Sequence, residues 1–275
     1  QSRAALMTQS VANNSKPIAV ITGAASGLGL DLARQLHLSH QLVLIDVNEE
    51  RLHEQTLSLD GALHFSCDLA DCDAISTLLE TLNSKLSQVD LLINNAGITH
   101  RSLAKQTEHH VIRKIMHVDY LAPVQLTQGL LPLLCKANGK VVNIGSMAGW
   151  MPVLARAGYC AAKSALHQYF ETLRAEVHAE GVSILMVYPS FLDTPIEQNA
   201  LDGRGHKAAH KRSMVGKMRT SMWMANSIIS AIKQNKARLF PDVFTNLSSI
   251  LYRLFPDLYL RLMRNKFSSE LQTKQ

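Results

Sequence analysis

The stretch that most constrains this chain is Ile18-Ala-Val-Ile-Thr-Gly-Ala-Ala-Ser-Gly-Leu-Gly29. Ile18 to Ile21 is an unbroken apolar run, which suits a strand buried on both faces of a parallel sheet. Thr22 to Gly29 is a glycine-rich turn, after which Leu28, Leu32 and Leu36 fall at helical spacing. Strand, glycine turn and helix together aim free backbone N–H groups and the helix dipole at a phosphate. The glycines Gly23, Gly27 and Gly29 are spaced more widely than GxGxxG, so the turn alone is weak evidence. A second apolar run, Leu42-Val-Leu-Ile-Asp46, adds weight. It ends in a carboxylate about twenty residues after the turn, where a ribose 2′-hydroxyl needs an acceptor.

The rest of the chain repeats the strand–helix rhythm. A helix is expected from Glu49 to Leu59, a strand from Leu63 to Asp68 and a helix from Asp71 to Leu86. Further strands are expected at Val89–Gly97, Lys140–Ser146 and Val182–Tyr188, with an edge strand at Ala237–Phe240. Helices alternating with short apolar strands imply right-handed crossovers and a Rossmann-type, doubly wound parallel sheet of about seven strands with helices on both faces. The expected division is a disordered tail over 1–16, a dinucleotide-binding and catalytic domain over 17–240, and a helical extension over 241–275. The first sixteen residues lack the apolar core of a secretion signal. Cys67, Cys72, Cys135 and Cys160 form no CxxC pair and have no metal-type histidine nearby, so reduced thiols in a cytoplasmic protein are expected and no metal site is.

Tyr159 and Lys163 stand four apart on an expected helix, so they share a face. A tyrosine with a pKa of about 10 is a poor base at neutral pH. A cation beside it, with the positive ring of an oxidised nicotinamide, favours the phenolate and is expected to lower that value. Ser146 closes the fifth strand at the carboxyl edge, where ligands gather in such sheets, and its hydroxyl can bond a substrate oxygen whose charge changes.

Thr22-Gly-Ala-Ala-Ser-Gly-Leu-Gly29, Asn94-Asn-Ala-Gly97, Ser146 and Tyr159-Cys-Ala-Ala-Lys163 arrive in the order and spacing of the short-chain dehydrogenase/reductase family, which the chain resembles over about residues 17 to 240. The resemblance implies an oxidoreductase that passes a hydride between NAD(H) and a secondary alcohol or ketone. Ser146, Tyr159 and Lys163 would be catalytic. Gly23, Ser26, Gly27, Leu28, Gly29, Asp46, Asp68, Leu69, Asn95, Ala96, Gly97, Pro189 and Thr194 would hold the cofactor, together with Tyr159 and Lys163. The family's fourth catalytic group is an asparagine, and the matching residue here is Asp119. Its carboxylate keeps the acceptor but loses the amide donor. It would either hold a proton-relay water or trap Lys163 in an ion pair, so a catalytically impaired cofactor-binding regulator or scaffold is the competing reading. Ser190 replaces the family's glycine after Pro189. NAD is favoured over NADP: Asp46 would repel a 2′-phosphate, Ser26 stands where phosphate binders often carry a basic residue, and Arg51 lies a helix turn further on.

Charge divides the chain. Residues 1–200 hold 14 Lys/Arg against 18 Asp/Glu, and residues 201–275 hold 14 against 4. The basic stretch from Gly203 through Lys217 and Arg219 occupies the place of the family's mobile substrate loop, with Gly203, Gly205 and Gly216 to let it move. Met214, Met218, Met222, Trp223 and Met224 beside it, and Trp150, Met151 and Phe191 near the expected site, suggest a bulky apolar substrate. Val243, Phe244, Leu247, Ile250, Leu251 and Leu254 form a helical apolar stripe, continued by Leu258, Leu262 and Met263. Packing of this stripe on the protein's own body or on a partner subunit is favoured over a membrane surface. A homodimer or homotetramer is implied by the resemblance, paired partly through Ala165, Leu166, Tyr169, Phe170, Leu173 and Val177. No nucleic-acid partner is expected.

Overall fold

The computed structural model describes residues 16–189, 192–193, 195–209 and 218–266. The expected tail before residue 16, and the readings that fall on Ser190, Phe191, Thr194, Met214, Gly216 and Lys217, lie outside the described residues.

Unbroken apolar runs become strands that feed two cores at once. Every residue of β1 (Ile18–Thr22) is buried. Ile18 and Val20 join one core while Ala19 and Ile21 join the other, because successive side chains on a strand point to opposite faces. β2 (Gln41–Asp46), β4 (Leu91–Asn94), β5 (Lys140–Ile144) and β6 (Ser183–Val187) follow the same plan, whereas the edge strand β3 (Leu63–Ser66) packs only Leu63 and Phe65 and leaves His64 and Ser66 exposed. With the edge strand β9 (Arg238–Leu239) they form a seven-stranded sheet in the order β3-β2-β1-β4-β5-β6-β9, parallel throughout. β7 (Leu192–Asp193) and β8 (Arg219–Thr220) make a separate parallel pair. The winding reverses between β1 and β4, the crevice where ligands settle in sheets of this kind.

On one face lie α3 (Cys72–Lys85), α5 (Ala122–Ala137) and α6 (Ala157–Glu176), packed through Leu78, Leu82, Leu126, Leu130, Leu166 and Phe170. On the other lie α1 (Gly27–Leu36), α2 (Glu49–Thr56) and α8 (Ser221–Lys233), packed through Leu28, Leu32, Leu52, Met224 and Ile228. Element ends follow local chemistry. Asp71 is not the first residue of α3 but its cap, accepting from the Asp73 and Ala74 N–H groups at 2.9 and 3.2 Å.

α4 (His109–Met116) runs into α5 through one wide π-turn, His117–Leu121. Pro123 has no N–H to give the Asp119 carbonyl four residues back, and Ala122 bonds the His117 carbonyl five residues back instead. Asp119 sits within this turn, fully buried.

Two expectations about surfaces are corrected. Leu166, Phe170 and Val177 are core residues of the single chain, which leaves Ala165, Tyr169 and Leu173 as the half-buried apolar part of α6. The C-terminal stripe forms two helices, α9 (Val243–Leu254) and α10 (Pro256–Lys266), because Pro256 begins a new one. Most of its apolar side chains do not pack on the body: Val243, Phe244, Leu247, Ile250, Leu254, Leu258 and Leu262 are exposed. α7 (Pro195–Gln198) is a single turn beside the crevice.

Candidate active site

The glycine turn is shaped by its own backbone and laced from outside. Gly23 and Gly27 adopt left-handed φ values of +66° and +53°, which cost glycine little. Thr22 Oγ1 accepts the N–H groups of Asn95 and Ala96, each at 3.0 Å. The Asn95 amide donates back to the Thr22 and Gly23 carbonyls at 3.0 and 3.2 Å. Asp46 takes the Ala25 N–H at 3.0 Å on one oxygen and the Asn48 N–H at 3.0 Å on the other. Its carboxylate thus also fixes the turn, and oxygen lone pairs remain for a further donor.

These turns border a cleft of about 420 Å³, within the range of small-molecule and cofactor sites. Gly23, Ser26, Gly27, Leu28, Asp46, Asp68, Leu69, Asn95, Ala96, Gly97, Ser146, Tyr159 and Pro189 all line it. Gly29 lies behind the wall. A Cβ added there would come within 2.5 Å of Asn95 Nδ2 and closer still to the Gly23 carbonyl oxygen. Only glycine lets helix and turn approach this closely, and a glycine-bounded cradle beside a helix N-terminus fits a dinucleotide's phosphates.

Further along the cleft stand Ser146 and Tyr159, with Lys163 and Asp119 beside them. Ser146 stands two residues past β5 and caps the turn that follows, its hydroxyl accepting the Ala148 N–H at 3.1 Å; it lines the cleft beside Tyr159. Lys163, one turn further along α6, is buried with its ammonium 5.6 Å from the Tyr159 ring centre. That ammonium donates to the Ile144 carbonyl at 3.0 Å and lies 3.4 Å from Asp119 Oδ2. Asp119 Oδ1 accepts the Ile98 N–H at 2.8 Å.

The protein's own groups pull the Tyr159 phenol in two directions. Burial pushes the Tyr159 phenol above its ordinary pKa, and Asp119 pushes the same way; Lys163, Ser146 and Arg156 pull it back without winning. Burial likewise raises the Asp119 carboxyl against the pull of Lys163 and the Ile98 N–H. Lys163 is drawn down by burial but held above its ordinary value by Asp119 and Tyr159. Without a further positive charge the phenol therefore keeps its proton.

Several residues carry the site without any sequence signal having singled them out. Glu197 of α7 accepts from Arg101 at 3.2 Å and Arg156 at 2.9 Å, and Arg156 also reaches the Thr99 hydroxyl at 2.7 Å. This cluster ties together the loop after β4, the residue before α6 and the segment after β6. His100 is wholly buried: its Nε2 accepts the Gly158 N–H at 3.0 Å and its Nδ1 meets the Ser102 hydroxyl at 2.9 Å. Burial, and then Arg156, push it down to about 4, so it holds the start of the Tyr159 helix as a neutral ring. Arg156, three residues ahead of Tyr159, was the one signal within reach.

The expected apolar lining is also corrected. Trp150 packs against His167, Tyr188 and Phe240, away from the cleft, and Met151 packs on the core. Met224 is core, Met218 and Met222 are exposed, and the Arg219 guanidinium lies 4.7 Å over Trp223. Ile98, Val118, Leu192, Pro195 and Ile196 line the cleft instead.

A doubly wound parallel sheet with a laced glycine turn and a Ser–Tyr–Lys constellation at its switch point defines a Rossmann-type oxidoreductase architecture. A family model described as short chain dehydrogenase matches residues 17–205, and the chain belongs to that family. It is 33% identical over 270 residues to the cattle (Bos taurus) protein Dehydrogenase/reductase SDR family member 7B, covering 94% of this chain and 83% of that one. Among solved structures, a short-chain dehydrogenase from Sphingobium yanoikuyae in complex with NADPH superposes with a TM-score of 0.73 at 22% identity, covering 88% of this chain and 96% of that one. A short chain dehydrogenase/reductase from Burkholderia phymatum in complex with NAD gives 0.74 at 20% identity, covering 88% and 95%.

Gly29→Ala is expected to abolish nicotinamide-cofactor binding, because the methyl group forces the turn out of register with Asn95. Titration of the variant with NADH, followed by nucleotide fluorescence, checks this, and binding at the wild-type level refutes it.

Proposed function

We propose that the protein is an NAD-dependent oxidoreductase interconverting a secondary alcohol and a carbonyl, with an apolar substrate. The observation that carries this reading is that Ser146 and Tyr159 line the same cleft, with the Lys163 ammonium 5.6 Å from the Tyr159 ring centre. A bound nicotinamide supplies or accepts the hydride. Tyr159 gives its phenolic proton to the carbonyl oxygen in reduction and takes it back in oxidation, while the Ser146 hydroxyl steadies that oxygen as its charge changes. Lys163 stabilises the phenolate and would hold the ribose hydroxyls of a bound cofactor, and Asp119 holds Lys163 charged. Tyr159→Phe is expected to lower turnover about a hundred- to ten-thousandfold while leaving cofactor affinity in place. Steady-state rates on an alcohol and ketone panel, set beside cofactor titration, check this; undiminished turnover refutes the role.

Preference for NAD rests on Asp46, whose charge opposes a 2′-phosphate at the end of β2. Asp46→Ala removes a charged acceptor, a loss of about 1.5–3 kcal/mol, roughly ten- to a hundredfold in affinity. NAD affinity is expected to fall by that factor and NADP to gain relative to it, as calorimetry with both would read. Wild-type protein that binds NADP more tightly than NAD overturns the preference.

A second reading, a cofactor-binding regulator that has lost turnover, is favoured by the buried Asp119–Lys163 pair at 3.4 Å. Asp119→Asn separates the two. Asp119 raises the Tyr159 pKa, so its removal lowers that pKa. Oxidation needs the phenolate, so the rising limb of the pH–rate profile is expected to move to lower pH and the rate at neutral pH to rise several-fold. Tight NAD binding with no turnover in either form supports the regulator. An unchanged rate and profile would place Asp119 outside the network. Self-association through α5 and α6 remains part of the proposal, on the smaller surface of Leu121, Tyr169 and Leu173.

A further inference from the structure

The C-terminal hairpin is amphipathic and inside out. α9 advances about 100° per residue, which puts Val243, Phe244, Leu247, Ile250 and Leu254 on one face and Ser249 and Arg253 on the other. The polar face is the one that meets the body. Ser249 is 2% exposed, whereas Val243 is 74% and Leu254 66%. The Arg253 guanidinium lies 3.9 Å over the Trp150 ring, and the Tyr259 hydroxyl donates to the Pro152 carbonyl at 3.0 Å. These anchors hold the hairpin on the segment that joins Ser146 to Tyr159. Phe255 at the joint and Leu258 and Leu262 on α10 are exposed as well. So long an exposed apolar row on anchored helices marks a surface with a partner.

Charge and length identify that partner. At about 100° per residue, Arg261 and Lys266 flank the exposed Leu258 and Leu262 of α10, with exposed Arg264 further round and Asp257 its only acidic residue. A two-fold pairing of the stripe with a second copy would set these cations against each other, whereas an anionic lipid surface neutralises them. The helices have 12 and 11 residues, well short of the about 20 needed to span a bilayer. No helix among the described residues is long and apolar enough to cross a membrane. We infer that α9 and α10 form an in-plane docking surface for an anionic phospholipid bilayer, with Val243, Phe244, Leu247, Ile250 and Leu254 entering the acyl boundary and Arg261, Arg264 and Lys266 meeting the headgroups.

Density-gradient flotation of the full chain with vesicles of phosphatidylcholine, with and without phosphatidylserine, tests this surface. Wild-type protein is expected to float with the phosphatidylserine vesicles, less so as salt rises. Leu247→Glu with Leu258→Glu, and separately Arg261→Glu with Arg264→Glu, should each lower partitioning on the order of tenfold or more, with near-ultraviolet dichroism unchanged. If the first pair fails to fold, Leu247→Ser with Leu254→Ser takes its place. Wild-type protein that stays down with both vesicles, or variants that float as well as wild type, overturn the proposal. So does a dimer in sedimentation velocity that the stripe variants dissociate without any flotation, which would assign the face to a second copy.

Discussion

A glycine turn has no side chains with which to hold its own shape, and the rest of this structure compensates for that. Two groups from outside hold the turn, the Asn95 amide after β4 and the Asp46 carboxylate at the end of β2, while the Thr22 hydroxyl at its start holds the Asn95 loop in return. Each lies at the carboxyl end of a central strand, so parallel register fixes their separation before any loop is considered. The winding reversal between β1 and β4 opens the crevice that the turn and the Asn95 loop then border. Gly29 completes the arrangement by letting α1 start against the Gly23 carbonyl, where any side chain would push the two apart.

The reactive end of the cleft is an electrostatic balance in a buried setting. A lysine and an aspartate are buried together behind a half-buried tyrosine at the cleft wall, and burial disfavours the charged form of each. Lys163 keeps its charge because Asp119 and Tyr159 repay what burial costs it. Asp119 is in position because Pro123 denies the helix a donor and widens one turn around it, so a backbone defect sets the geometry of an ion pair. Further along, Glu197 draws Arg101 and Arg156 together, and one carboxylate thereby joins three loops that bound the cleft. His100 performs the same service in neutral form, holding the Gly158 N–H next to Tyr159.

The hairpin shows how a correct pattern acquires the wrong partner when only sequence is read. The stripe from Val243 to Leu254 is as regular as that of any core-facing helix, and a core-facing helix is the usual outcome of such a pattern. What reverses it is a pair of anchors with no helical periodicity: a guanidinium over Trp150 and a tyrosine hydroxyl on the Pro152 carbonyl. Together with buried Ser249 they hold the polar side down and leave the apolar side outward.

By itself the sequence determined the sheet, the glycine turn and the grouping of Ser146, Tyr159 and Lys163. Those depend on periods of two and of 3.6 residues, on glycine's backbone freedom and on a four-residue helical spacing, all of which are local. Nearly all of the expected cofactor residues within the described chain border the cleft for that reason. Tertiary structure decided whatever depends on residues far apart in the chain. It turned Trp150 away from the cleft into an aromatic cluster, and it spent Leu166 and Phe170 on the core rather than on a subunit contact. It brought Arg101, Arg156 and Glu197 together across 96 positions. It also set burial against Lys163 at the Tyr159 phenol, because desolvation depends on everything packed around a group and no spacing along a chain encodes it.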